Sequence, residues 1–311
     1  MIKILLREFS VNLSIFYRKK FKLNKKKNIL TEEYLKEKAK DLYFKNPRLT
    51  VHKKLSYEIL NLIKKKKLKD FLRNSFIQNI FFIHNRLFIY SELKELKNDK
   101  NWSIWKKLLK DSPIGKPVWY FLYPKSTGNR IRQVYIIKKF VDLNPSIKIK
   151  KLKKIIEIGG GYGCMADIFL KINKNINYTI YDMYEVNLLQ YYYLKMNNHN
   201  PKLNSYKYNV NLINKLNDLK KIKNNTLLIA NWSLSEFPLK FRKKFLNKIK
   251  NSKFTIISFQ KNFEKIDNYS FFMKQINKLG SKYVSNIDTF DHYNNSFLNN
   301  NKHYILTIRK K

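Results

Sequence analysis

Cysteine, glycine, arginine and acidic residues are all scarce in this chain of 311 residues. A single cysteine, Cys164, excludes an intrachain disulfide framework and a cysteine-based zinc cluster, so a cytoplasmic location is the simplest reading. Only 9 arginines stand beside 56 lysines, which leaves few side chains for planar, bidentate recognition of phosphates or bases. The 22 Asp and Glu residues fall far short of the 65 cations, and the formal net charge is +43. Lys, Asn, Ile, Phe and Tyr are abundant together, as drift in an AT-rich genome produces. Runs such as Lys25 to Lys27 and Lys64 to Lys67 therefore read first as solvated faces. A second reading is attraction to anionic substrates or peripheral contact with a membrane leaflet. No apolar run is long enough to span a bilayer: the most apolar stretch, Phe76 to Tyr90, is broken by Gln78, Asn79, His84, Asn85 and Arg86 and reads as a buried helix. Charges at Lys3, Arg7 and Glu8 come too early for a secretory leader.

Disorder is excluded too, because 44% of the residues are hydrophobic and 15% aromatic, enough to bury a large core. Residues 1–110 hold one proline, Pro47, and no glycine, and read as a helical cap region with stripes over Thr31 to Lys45 and Leu55 to Lys69. Residues 111–150 form a connector rich in turn residues, followed by a helix from Arg130 to Val141. Residues 151–311 alternate short β-rich runs with helical ones. The strands fall at Lys154 to Ile158, Asn177 to Tyr181, Ser205 to Tyr208, Thr226 to Ala230, Phe254 to Phe259, Lys282 to Ile287 and Tyr304 to Arg309. Such alternation implies an α/β sheet, parallel through its early strands, with the last two runs as an antiparallel hairpin at its end.

Four of the seven glycines lie between Gly159 and Gly163, after the apolar strand that carries Glu157 and before a helix through Ala166 to Leu170. Strand, glycine loop and helix in that order make a nucleotide-site geometry. The second strand ends at Asp182, at about the twenty-residue spacing of an acid that accepts from both ribose hydroxyls. A second, lesser reading makes Asp182 a cap for the helix that follows. From Gly159 the glycines read GxGxG; from Gly161, the looser GxGxxA dinucleotide form ending at Ala166 is also met, which keeps an NAD(P)-dependent oxidoreductase open.

The acid and alternating glycines, Glu157-x-Gly159-x-Gly161-x-Gly163, resemble the first motif of class I S-adenosylmethionine-dependent methyltransferases. With IYDMYEVNLLQYYYL from Ile180 to Leu194, ANWSLSEFP from Ala230 to Pro238, GKP at Gly115 and STGNRIRQVY from Ser126 to Tyr135, the chain is similar, over about residues 110 to 311, to the sugar O-methyltransferase family of bacterial surface-polysaccharide gene clusters. Tyr184 and Gln133 depart from it, standing where the family commonly has proline and histidine.

The resemblance implies a Rossmann-like sheet, mostly parallel with an antiparallel last strand. It implies S-adenosylmethionine held by Glu157, Gly159, Gly161, Gly163, Asp182, Met183 and Asn231, and a sugar hydroxyl acceptor near Asn129, Arg132, Gln133, Tyr135 and Ser235. The acceptor is a small molecule or a nucleotide-linked or lipid-linked sugar. Asn209 and Asn211, at the end of the third strand, offer side-chain carbonyls to the adenine amine.

Methyl transfer from a sulfonium is an in-line displacement, so positioning supplies much of the catalysis and a general base adds roughly 10²–10⁴-fold. The candidate bases are His292, oriented by Asp291 or Asp288, and Glu236 after the fourth strand, with His199 behind them. His303 reads as structural, and His52 and His84 have no evident partner in the sequence. Glu236, Asp288 and Asp291 have oxygen ligands suited to Mg²⁺, but their spacing does not demand a metal.

Nucleic acid is the competing substrate. Cytosine C5 methylation needs a cysteine nucleophile, and Cys164 lies inside the glycine loop. Amino methylation of bases uses an Asn/Asp-Pro-Pro-aromatic run where this chain has Asn231-Trp232-Ser233-Leu234. Ribose methylation, a basic RNA-binding protein and a non-catalytic scaffold stay open.

Overall fold

The computed structural model describes residues 23–42, 50–83, 86–219, 225–249, 252–290 and 302–311. Its chain order begins with α1 (Lys25–Lys38), α2 (Val51–Lys64), α3 (Ser75–Phe81), α4 (Phe88–Lys97), α5 (Trp102–Leu108), β1 (Trp119–Tyr120), β2 (Tyr123–Thr127) and α6 (Gly128–Asp142). It then alternates through β3 (Lys154–Ile158), α7 (Cys164–Ile172), β4 (Asn177–Tyr181), α8 (Tyr184–Met196), β5 (Pro201–Leu203), β6 (Val210–Ile213) and β7 (Thr226–Asn231). It closes with α9 (Leu239–Ile249), β8 (Phe254–Gln260), β9 (Asn262–Phe263), β10 (Ile266–Asp267), α10 (Asn268–Asn277), β11 (Tyr283–Thr289) and β12 (His303–Lys310). Two compact units interleave along the sequence. One holds residues up to Tyr135 with Gly161–Lys171 and Met183–Leu203; the other holds Ile136–Gly160, Ile172–Asp182 and Asn204–Lys311.

In the first unit the helices begin where capping residues stand. Asn24 accepts from the Lys27 backbone N–H at 3.0 Å, so the Lys25 to Lys27 run becomes the first turn of α1 and the helix starts ahead of Thr31. Thr50 accepts from the Lys53 N–H at 3.2 Å and starts α2 four residues before Leu55. Each such cap contributes about 1 kcal/mol. Helix α2 buries Leu55, Ile59 and Ile63 on one face, as its 3.6-residue period requires. The stretch from Phe76 to Tyr90 is not one helix: α3 ends where Phe82 turns extended, and a second helix begins at Phe88. Tyr192 and Tyr193 of α8 are buried, and Tyr193 packs edge-on to Tyr162, with ring centroids 4.9 Å apart.

The second unit is built on a sheet in the order β11-β12-β8-β7-β3-β4-β6. Strands β6, β4, β3, β7 and β8 run parallel. The last strand, β12, is antiparallel to both β8 and β11, inserted between them. The sheet is thus mostly parallel with an antiparallel last strand, and the hairpin lies at its end as the sequence implied. Thr226 to Ala230 are buried without interruption, the pattern of a strand covered on both faces. Ile156, Ile158, Leu228, Ala230, Ile257 and Phe259 form a core cluster with Phe245 of α9 and Phe272 of α10. Each fully buried side chain of this kind contributes roughly 1.5–3 kcal/mol.

The third strand departs from expectation. It runs over Val210–Ile213, not Ser205 to Tyr208. Asn211, fully buried in β6, donates to the Tyr208 carbonyl at 2.7 Å and accepts from the Tyr208 N–H at 3.2 Å, so Tyr208 belongs to a turn ahead of the strand that the Asn211 side chain closes.

Candidate functional site

In a parallel sheet every strand delivers its last residue to the same edge, and in the second unit that edge is aligned closely. Ile158 lies opposite Tyr181 and Tyr181 opposite Ile213. The order of the strands reverses beside β3, which has β4 on one side and β7 on the other, and a crevice for a ligand opens at such a point.

Gly159 continues from β3 with its N–H donating to the Tyr181 carbonyl at 2.9 Å, so the glycine sits against the residue preceding Asp182. Its φ is +65°, and a Cβ built there would lie 2.3 Å from the Cβ of Ser233. Only glycine fits. Ser233 in turn donates its hydroxyl to the Ile158 carbonyl, tying the segment after β7 to the end of β3. Asp182 donates its N–H to the Ile213 carbonyl at 3.0 Å, which sets it at the tip of β4 beside the tip of β6.

Glu157 is buried one turn of the pleat below Gly159 and accepts from the Tyr178 hydroxyl at 2.7 Å. Burial, with help from Asp182, pushes its carboxyl up to about 8 although the Tyr178 hydroxyl acts the other way. It is therefore largely a neutral acid at neutral pH, a support inside the sheet and not a second anion for a ligand.

A polar network follows β7. Asn231, its last residue, accepts from the Ser258 hydroxyl at 2.9 Å. Trp232 is held at φ +57°; its indole N–H donates to Nδ1 of His303 at 2.9 Å, which fixes the tautomer of that ring. Ser235 is fully buried, and its single hydroxyl proton is shared between the Trp232 carbonyl at 2.9 Å and Oε1 of Gln260 at 3.1 Å. Glu236 accepts from Gln260 and faces the charge of Arg242, yet burial outweighs both and pushes its carboxyl up to about 7. Arg242 is fully buried, donating to the carbonyls of Phe237 and Ser235 and, at 2.6 Å, to Oδ1 of Asn268. Burial lowers its guanidinium to about 10, with Glu236 opposing that shift. A carboxyl poised near 7 on a rigid frame is what general acid-base chemistry needs.

No protein-family model matches the chain, and no curated protein does. Solved structures are similar to it over part of its length. The methyltransferase domain of bacterial CtHen1-C is 13% identical with a TM-score of 0.43, covering 58% of this chain and 98% of its own. Precorrin-6y C5,15-methyltransferase from Geobacter metallireducens is 10% identical with a TM-score of 0.40, covering 60% of this chain and 90% of its own. A Haemonchus contortus phosphoethanolamine N-methyltransferase 2, in complex with phosphomonomethylethanolamine and S-adenosylhomocysteine, is 9% identical with a TM-score of 0.40, covering 72% of this chain and 60% of its own.

The remaining residues singled out from sequence scatter. Asn209 precedes β6 at its amino end, where its carbonyl accepts from the Tyr178 N–H, and Asn211 is spent on Tyr208. Neither reaches the carboxyl edge. Asn214, half-buried directly after β6, takes that place; a strand ending at Tyr208, as the sequence implies, leaves it out of the site. Asp288 pairs with Lys139 at 3.5 Å. His292, Asp291 and His84 lie outside the described residues. Among the described residues no three His, Cys, Asp or Glu side chains gather as a metal site.

In the first unit, Gly161 and Gly163 take φ values of +54° and +98°, and the buried amide of Gln190 donates to the Gly161 carbonyl at 2.9 Å. Met183 is the N-cap position of α8. Asn129 donates to the Tyr162 hydroxyl at 2.9 Å, and Tyr135 to Glu95 at 2.9 Å. Gln133 is half-buried on the same helix, α6. Arg132 is fully buried, 2.5 Å from Glu92, and stacks on Phe88, so it is a core ion pair and not a substrate ligand. His199 is likewise committed, 2.8 Å from Asp167, which also meets Arg130 and Lys171 at 2.7 Å. Burial raises the Asp167 carboxyl, but His199, Arg130 and Lys171 together overcome it and hold it well below the usual carboxylate range. Burial first, and then Asp111, push the Cys164 thiol up to about 12, so it is no nucleophile.

Proposed function

We propose that the chain is an S-adenosylmethionine-dependent methyltransferase acting on a sugar hydroxyl. The observation that carries this reading is the junction at the carboxyl edge: Gly159, left-handed and without room for a Cβ, bonded to the residue before Asp182. The fit is that of an adenosine cradle. Backbone approaches closely at Gly159, Asp182 presents a carboxylate to the ribose hydroxyls, and Asn214 offers its carbonyl to the adenine amine in place of Asn209 and Asn211. When bound, S-adenosylmethionine supplies an electrophilic methyl carbon.

The chain's own contribution is to hold and deprotonate the acceptor. Asn231 and Ser235, both fixed by hydrogen bonds to β8 residues, orient the segment that carries Glu236. With its carboxyl near 7, Glu236 is ionised in a useful fraction at neutral pH and takes the hydroxyl proton as the oxygen attacks. His292 is the other candidate base and carries the same substitution test.

Titration calorimetry of the full chain with S-adenosylhomocysteine, S-adenosylmethionine and NADH tests the cofactor. Heat with the first two and none with NADH is expected; the reverse overturns the reading. Transfer of labelled methyl to nucleotide sugars and glycan fragments, with RNA as a parallel arm, tests the acceptor. Labelling of RNA alone removes the sugar.

A further inference from the structure

The opposite edge of the same sheet holds a feature that methyl transfer does not use. A cavity of about 750 Å³ opens at the amino ends of the parallel strands in the second unit. Seven of its twelve lining residues are Lys or Arg: Lys148, Lys151, Lys153, Lys253 and Lys311 are exposed, and Arg309 and Lys310 are half-buried. No Asp or Glu is among those lining residues. Three separate segments converge to make it. Lys148, Lys151 and Lys153 come from the turn leading into β3, Lys253 precedes β8, and Arg309 and Lys310 end β12.

The backbone fixes this convergence. The Lys151 N–H donates to the Lys148 carbonyl at 2.7 Å, that of Lys253 to Thr226 at 3.1 Å, and that of Lys310 to Lys253 at 2.9 Å. The cations are thus brought together by the register of the sheet. Like charges held in one concavity repel one another, and an anion that enters is drawn in by all of them at once. Lining by Ile147, Leu152 and Phe254, with Lys253 lying over the Phe254 ring, adds apolar surface that a bare inorganic ion does not use.

We infer that this cavity binds a diphosphate-bearing molecule, its phosphates among the cations and an apolar or ring-shaped portion against Phe254 and Leu152. The volume suits a compact ligand of nucleotide size; a nucleic-acid strand would need an extended groove. The site is separate from the candidate active site. Strand β3 has Lys153 before its first residue and Gly159 after its last, and five residues at about 3.3 Å each set the two edges roughly 17 Å apart. A ligand here anchors or regulates the protein and is not the group being methylated.

Diphosphate chemistry has two sources, a soluble nucleotide and the head group of a membrane lipid, and the test separates them. The full chain is titrated at 150 mM salt with pyrophosphate and UDP, and sedimented with phosphatidylcholine vesicles carrying a polyprenyl diphosphate or, at equal charge, phosphatidylserine. Two variants are compared after circular dichroism establishes their folding: Lys151→Gln/Lys153→Gln/Lys253→Gln/Arg309→Gln, and a control that removes the same charge from exposed positions on α1 and the turn after it, Lys25→Gln/Lys26→Gln/Lys36→Gln/Lys40→Gln. Binding of pyrophosphate and UDP that falls at least tenfold in the first variant and is unchanged in the control is expected. UDP binding without vesicle binding assigns the soluble source; selective capture by the diphosphate vesicles assigns the lipid. Equal loss in both variants, equal capture by both vesicle types without binding of UDP, or no binding of pyrophosphate overturns the proposal. Donor binding at the other edge is measured alongside and stands or falls on its own.

Discussion

A single methyl group is all that Gly159→Ala adds, and the surroundings leave nowhere to put it. The new Cβ would meet Ser233 at 2.3 Å, and the φ of +65° disfavours any L side chain. The left-handed backbone costs about 1–2 kcal/mol and overpacking about 1–3 kcal/mol more. We expect the melting temperature to drop by several degrees and affinity for S-adenosylhomocysteine to fall tenfold or more. Adding Ser233→Gly should relieve the clash but leave the backbone part and lose the hydroxyl bond to the Ile158 carbonyl, so rescue is partial; an unchanged melting temperature in Gly159→Ala would refute the geometry. Glu236 makes the second prediction at this scale. With its carboxyl near 7, kcat should rise with pH through about 7 and then level. Glu236→Gln should lower kcat by roughly 10²-fold or more and flatten that limb while leaving donor affinity unchanged. Retention of the limb in the variant would move the base elsewhere, with His292→Ala as the next test.

Between elements, the pairing of β3 with β4 places Glu157 under the Tyr178 hydroxyl, and this makes the strand pair sensitive to pH. The folded state holds the carboxyl at about 8, well above an ordinary Glu near 4.5. The folded chain therefore keeps a proton that the unfolded chain has lost, and stability is greatest below about 4.5 and declines as pH rises towards 8. Gln mimics the protonated carboxyl. Glu157→Gln should lie within about 1 kcal/mol of the parent protein at pH 5 and exceed it by a few kcal/mol at pH 8, a gap measurable by urea denaturation at the two pH values. A gap of the same size at both would show that the carboxyl is not titrating. Elements of this kind were largely legible in the sequence: β3 and β4 fall on the residues expected, because continuous apolar runs beside a glycine loop allow few other readings. Strand β6 was not, because Asn211 is satisfied by a turn whose closure only the folded chain reveals. The position of Gly159 was legible from its spacing, but its partner Ser233 is brought to it by the sheet. Arg132 shows the limit from the other side, since nothing local signals that Glu92, forty residues earlier, will neutralise it in the core.

Across the whole chain, charge is the dominant imbalance. With 65 cations and 22 anions, the folded state repels itself, and this repulsion acts over distances that salt shortens: the screening length falls from about 30 Å at 0.01 M to about 10 Å at 0.1 M. Attractive pairs exist as well, and those least open to screening are buried. Arg130 with Asp167 and Arg132 with Glu92 are all but sealed from solvent and are screened little. Exposed pairs such as Lys66 with Glu33 contribute little in any salt. Added salt should therefore relieve more repulsion than attraction. We expect the melting temperature at pH 7 to rise by several degrees between 20 and 300 mM sodium chloride, followed by circular dichroism. The rise should be smaller in the Lys25→Gln/Lys26→Gln/Lys36→Gln/Lys40→Gln control, which removes four exposed charges from the first unit. A melting temperature that falls with salt would mean that surface ion pairs, not net repulsion, set the electrostatic contribution to stability.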